Sequence, residues 1–103
     1  MVRYNKLVRD RIPEMIRAQG ETPVVRVLDE AEYRRCLEDK LDEEVAEFHA
    51  SGDIEELADI LEVVYALCRA KGHTLEELRE VCLAKREKRG GFDGRIFLIE
   101  KHG

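Results

Sequence analysis

The chain has no tryptophan, and aromatic residues make up only 6% of it. So little aromatic material disfavours a sandwich or a barrel and suits amphipathic helices. Cysteine is also scarce. Cys36, Cys68 and Cys82 are odd in number, form no C-x-x-C pair and have no histidine beside them at metal-ligand spacing. They read as reduced core thiols of a cytoplasmic protein, not as a disulfide framework or a zinc site. Long apolar runs are missing too, because the longest is broken by Asp59 and Glu62, so no membrane span is expected. The opening MVRYNKLVRDR is charged within three residues, unlike a secretory leader. There is no repeat and no low-complexity tract.

What the chain does have is charge. Of its 103 residues 40% are charged, with a formal net charge of -5, which argues against a nucleic-acid surface. The charge is unevenly placed. Asp29 to Glu62 holds 14 acids against 3 bases, a net of -11, and the flanking parts together carry +6. This is either the polar face of a helical hairpin or a metal site with phosphate-binding groups around it. A chain of this length is one domain, residues 1–103, with a core small enough to favour self-association.

Periodicity places the helices. DRIPEMIRAQG is a short helix with Pro13 in its first turn and Gly20 at its end. TPVVRVL reads as a short strand or an extended connector. Asp29 and Glu32 are spaced as a capping box. Tyr33, Leu37, Leu41, Val45 and Phe48 then recur at four- and three-residue steps, predicting an amphipathic helix to about Ala50. SGD turns the chain, with Asp53 as N-cap. The helix from Ile54 to Ala70 is apolar around most of its circumference, so burial on nearly all sides is expected, most economically by a second subunit. Thr74 and Glu77 open a third long helix, which ends at Gly90-Gly91. In the extended tail, Phe92, Ile96, Phe97 and Ile99 are expected to pack back. The expectation is an all-α fold: an antiparallel hairpin plus a third long helix, a bundle completed by dimerisation, and irregular or extended N- and C-terminal segments.

Four carboxylates flank the SGD turn symmetrically. Glu44 and Glu47 are three residues apart, as are Glu56 and Asp59, so each pair shares a helix face. Glu47 and Glu56 are equidistant from the turn, and so are Glu44 and Asp59. In an antiparallel hairpin, equal distance means equal height, and the pairs face each other as two rungs about 4.5 Å apart along the axis. Four such groups in one gap need protons, basic partners or a cation. All-oxygen donors favour Mg²⁺ or Mn²⁺. A di-iron site wants Glu-x-x-His, and neither His49, His73 nor His102 stands three residues after a glutamate. The plainer reading makes Glu56 a capping-box residue and leaves Glu47 solvated. Asp59, inside an apolar run, resists it.

Basic residues form a second constellation. Leu78, Cys82, Lys85 and Arg89 step by four, three and four, so Lys85 and Arg89 continue the apolar stripe of the third long helix, with Lys88 to one side. They are phosphate contacts, or cations that suit a helix C-terminus. Lys6 and Arg9 in YNKLVRDR are phosphate contacts or part of a solvated arm.

The pattern EEVAE (Glu43–Glu47) followed by ELAD (Glu56–Asp59) resembles the all-α nucleoside triphosphate pyrophosphohydrolases, which include MazG-like proteins and phosphoribosyl-ATP pyrophosphohydrolase. YNKLVRDRIPEMI and KREKRGGFDGRIFL are similar to the ends of a small MazG-related branch, so the likeness runs over nearly the whole chain. It implies Mg²⁺ held by Glu44, Glu47, Glu56 and Asp59, and cleavage of a nucleoside triphosphate between the α and β phosphates. Within that reaction Glu43, Glu44 and Glu47 are the acids nearest the chemistry. Glu43 or Glu47 is the candidate to accept the proton of the attacking water, with Glu43 the weaker because it lies nearly opposite the apolar stripe. Lys6, Arg9, Lys85 and Arg89 are the candidates for the triphosphate. Only eight residues separate Glu47 from Glu56, fewer than in many MazG-like members, leaving less room for a nucleobase-binding extension. Two other classes stay open: a non-catalytic dimerisation or adaptor module whose acidic stripe binds a basic partner, and a nucleotide sensor without turnover.

Overall fold

The structure is a computed structural model that describes residues 1–103. Its regular elements are all helices: α1 Ile12–Ala18, α2 Glu30–Ser51, α3 Ile54–Ala70 and α4 Leu75–Arg89. Local chemistry sets their ends. The Asp29 carboxylate accepts from the Glu32 N–H at 2.9 Å, and the Thr74 hydroxyl accepts from the Glu77 N–H at 3.0 Å. Both capping boxes are only half made. Glu32 turns away to Arg26, at 2.8 and 3.2 Å, and Glu77 turns to His73 at 2.9 Å. Asp53 stands at the N-cap of α3, but its side chain makes no cap hydrogen bond. Its own N–H donates to Ser51 Oγ at 3.2 Å instead.

The α2–α3 turn depends on Gly52. Its φ of 70° ends α2 in the left-handed region, and its N–H donates to the Phe48 carbonyl at 2.8 Å. The chain reverses within two residues, and α3 runs back along α2, so that Tyr33 and Arg34 near the start of α2 stand by Arg69 and Ala70 at the end of α3. α4 touches α3 and not α2, and α1 touches no other helix.

Three residues are buried: Leu37, Val63 and Glu44. As expected of so apolar a helix in so short a chain, the α3 stripe is not enclosed within one chain, since Leu57 and Leu61 are each 48% exposed. Two other expectations are corrected. The cysteines are free, but none is a core thiol: Cys36 and Cys68 are half-buried and Cys82 is exposed. The tail does not pack back, because Phe92, Ile96, Phe97 and Ile99 all face solvent. TPVVRVL follows the connector alternative, with no regular secondary structure. The exposed stripe, cysteines and tail share one physical reason. One hairpin offers one seam, and side chains that point elsewhere have no second surface in the same chain to meet.

The shape records this. The radius of gyration is 18.2 Å and the long axis 63 Å, where a compact chain of this length has a radius of about 13 Å. The accessible surface is 9657 Å², against roughly 6,000 Å² for a compact monomer of 12.0 kDa.

Replacing Gly52 with Ala is expected to cost about 1–2 kcal/mol, because an L-residue pays the left-handed φ directly. Nothing crowds the position a Cβ would take there, so the loss comes from the backbone alone. Gly91→Ala, with no positive φ and only ordinary contacts to Arg86, is the control. Thermal melts decide it: equal midpoints in the two variants would remove Gly52 from this role.

Candidate metal centre

The seam between α2 and α3 holds the four carboxylates. One oxygen each from Glu44, Glu47, Glu56 and Asp59 can be chosen so that all four lie within 4.8 Å of one another. Two turns of α2 and the first turns of α3 supply them, at the heights the turn symmetry predicts. Glu44 is buried, Glu56 and Asp59 are half-buried, and Glu47 stands at the open rim. The apolar floor is close in register: Leu37 precedes Glu44 by two turns and Val63 follows Asp59 by one, and these are the two buried hydrophobic residues.

Burial makes Glu44 the anomaly of the site. Its Oε1 meets Lys40 Nζ at 3.4 Å, while its Oε2 is fully enclosed and has no hydrogen-bond partner. Its carboxyl is held above the ordinary carboxylate range. Loss of hydration is the main cause, and the neighbouring Glu47 carboxylate adds to it. Lys40 pulls the other way without cancelling the rise. A buried carboxylate with one unpartnered oxygen, clustered with three other acids, suits a hard cation. With all four oxygens within 4.8 Å of one another, the cluster is of a size that a cation bound at about 2.1 Å can draw together.

The chain brings two of its own cations to this seam. Arg9 Nη2 donates to Asp59 Oδ1 at 2.6 Å, and Lys40 Nζ lies 3.4 Å from both Glu43 and Glu44. Lys6 Nζ stands 3.5 Å from Glu43. The N-terminal arm therefore straddles the hairpin, with Lys6 over α2 and Arg9 over α3. Two of the four basic candidates read from sequence reach the acidic seam, and they reach it through carboxylates. The other two do not. Lys85 and Arg89 are exposed, make no ion pair in the chain and sit on a helix that never touches α2. The expectation that they continue a buried stripe is corrected, since α4 has no buried residue and is covered only near Leu75 and Leu78. Glu43 is half-buried between Lys6 and Lys40 and is not in the four-oxygen cluster. Lys40 went unrecognised in the sequence, although its three- and four-residue spacing to Glu43 and Glu44 was there to read.

No family model matches the chain, and no solved structure does. Over 46 residues the chain is 63% identical to an uncharacterized protein of Mycolicibacterium smegmatis, a stretch covering 45% of this chain and 47% of that protein. The matched stretch thus spans about half the length of each.

The raised Glu44 carboxyl gives a signed pH prediction for the metal-free protein. A carboxyl that holds its proton more tightly when folded than when unfolded destabilises the fold once it is ionised. The penalty is absent below the unfolded value of about 4.3 and complete above the raised folded value, so stability contributed at Glu44 falls as pH rises through that window. Glu44→Gln is expected to remove this slope and to stabilise the metal-free chain near neutral pH by on the order of 1 kcal/mol. Denaturant melts of both proteins in EDTA across pH 4 to 8 test it. Parallel pH curves, with no gain near neutrality, would show that Glu44 carries no such penalty.

Proposed function

We propose that the chain is a metal-dependent nucleotide pyrophosphohydrolase of the MazG-like, all-α class. It would cleave a nucleoside triphosphate, or a related nucleotide such as phosphoribosyl-ATP, between the α and β phosphates to give monophosphate and pyrophosphate. One observation carries the reading: four carboxylates converge in the hairpin seam while one oxygen of the buried Glu44 is left without a partner. Glu44, Glu47, Glu56 and Asp59 would hold Mg²⁺ or Mn²⁺, which supplies charge neutralisation on phosphate oxygens and a more acidic bound water.

Charge favours one divalent ion. Arg9 and Lys40 offset two of the four carboxylate charges, and a deficit of two remains. Glu47, the exposed member of the cluster, has room beside it for a water and is the better placed to accept its proton. Glu43 is the weaker candidate because two lysines already share its carboxylate. Lys6 and Arg9 stand at the rim, where a triphosphate would draw them from carboxylate to phosphate. Lys85 and Arg89 can serve a phosphate only if a second copy brings them. The exposed α3 stripe and the excess surface support a homodimer or higher assembly around α3. The non-catalytic adaptor reading shares that surface but leaves the orphaned Glu44 oxygen without a purpose.

The test is pyrophosphate release from a panel of nucleoside triphosphates and phosphoribosyl-ATP with Mg²⁺, Mn²⁺ or EDTA. Turnover is expected with either ion, none with EDTA, and none in Glu44→Gln or Asp59→Asn. Mg²⁺-dependent turnover retained in both variants would sink the carboxylate cage, and no turnover on any nucleotide would favour the adaptor.

Arg9 provides a second test with a sign. A guanidinium on a metal-ligand carboxylate repels the metal, so Arg9→Gln is expected to tighten Mg²⁺ binding by roughly three- to tenfold at low salt. The same variant is expected to lower kcat/KM, because the phosphate loses a contact. Calorimetric titration of metal into both proteins settles the first part. Unchanged or weaker metal binding in Arg9→Gln would mean that Arg9 orients Asp59 and does not compete at it.

A further inference from the structure

Two segments of the chain lack regular secondary structure and are apolar and unpaired. Pro23–Leu28 joins α1 to α2, and Val24 and Val27 are 97% and 96% exposed there. Ile96–Glu100 follows α4, and Ile96, Phe97, Leu98 and Ile99 are all largely exposed. Neither segment makes a backbone–backbone hydrogen bond from Val24 to Leu28 or from Ile96 to Gly103. Both are rich in β-branched or aromatic residues, the composition that pairs as strands. Open backbone and bare apolar side chains together form an edge that proteins cover, since it otherwise templates aggregation. The two segments are also matched in size, with four apolar side chains in IFLIE and four, besides Pro23, in PVVRVL.

We infer that these segments pair with each other between two copies of the chain, the Ile96–Glu100 tail of each copy lying as a strand against Pro23–Leu28 of the other. The occupant is argued from three features. First, the tail leaves from the end of α4, a helix that diverges from the hairpin and never touches α2, the helix that Pro23–Leu28 leads into. Second, every copy carries both halves, so two copies exchange tails reciprocally and close a two-fold assembly with no edge left over. Third, there is surface to bury: the excess over a compact monomer is about 3,700 Å² per chain, more than the about 2,500 Å² per copy that even a large homodimer interface of ~5,000 Å² in total covers. Arg26, held by Glu32 at two points, ties the receiving segment to α2 and presents it as a fixed edge. The inference rests on the self-association proposed above and is independent of the hydrolase reading.

Amide hydrogen exchange on the full chain tests it, read together with light scattering over a dilution series. In the assembled protein both segments are expected to exchange at least about tenfold more slowly than free chain, and to lose that protection together on dilution. Leu98→Asp is expected to deprotect Pro23–Leu28, and Val25→Asp to deprotect the tail, with helix content unchanged because both side chains are exposed in the single chain. That reciprocal loss would not follow from a merely local effect. An assembly whose two segments exchange freely would overturn strand exchange and leave the α3 interface standing. Protection that survives in a monomer would assign the pairing to the chain's own tail, also against the inference. A monomer with free segments would overturn both, and protection gained only on adding a cell extract would give the edge to a different protein.

Discussion

Mutual repulsion among four carboxylates is the constraint around which the rest of this structure is arranged. Glu44, Glu47, Glu56 and Asp59 are forced together by the hairpin, because Gly52 lets α2 reverse into α3 within two residues and register then sets equal heights. Repulsion in the seam is eased by Arg9 from the arm and Lys40 from α2, and only in part. The rise in the Glu44 carboxyl comes first from its burial, and the neighbouring Glu47 adds to it. A solvated acidic face would not need a guanidinium held at 2.6 Å, nor leave an enclosed oxygen bare.

The same seam explains why the core is so thin. A hairpin of two long helices has one inner surface, and part of it is given to acids. Leu37 and Val63 are the hydrophobic residues that remain buried there. Leu57 and Leu61 of α3, Val81 and Leu83 of α4 and the apolar tail face outward, and the chain stretches to 63 Å. In a small protein the hydrophobic effect acts on whatever surface is available, and when one chain offers too little, a second supplies it. A polar seam and an exposed apolar surface are therefore two consequences of one allocation of surface. An acidic site placed between subunits instead would have left the hairpin free to bury leucines.

The N-terminal arm changes meaning between sequence and structure. In the sequence Lys6 and Arg9 are free cations beside an acidic centre, as suited to phosphate as to water. In the fold each has a carboxylate within reach, and the two carboxylates are on different helices. The arm spans the seam and supplies part of its counter-charge. Lys85 and Arg89 move the other way: helical spacing places them on a stripe, but α4 has nothing to lay the stripe against.

The sequence by itself determined the helices and the four acids. Period, caps and the turn residues are local: Asp29 reaches the Glu32 N–H and Thr74 the Glu77 N–H within one turn of chain, so their geometry needs no tertiary context. The convergence of Glu44, Glu47, Glu56 and Asp59 was also legible, because a two-residue turn makes spatial height a function of sequence distance alone. Burial was not legible in the same way. The stripe of α4, the three cysteines and the tail all read as core. Whether an apolar face is buried depends on how many other surfaces the chain can bring to it, which spacing does not encode. Tertiary structure alone decided that Glu44 is enclosed while Glu47 is open, that Arg9 reaches Asp59 across fifty residues of chain, and that α4 diverges from the hairpin. These are long-range placements, set by the sum of many weak contacts and by the surfaces left over once the hairpin has closed.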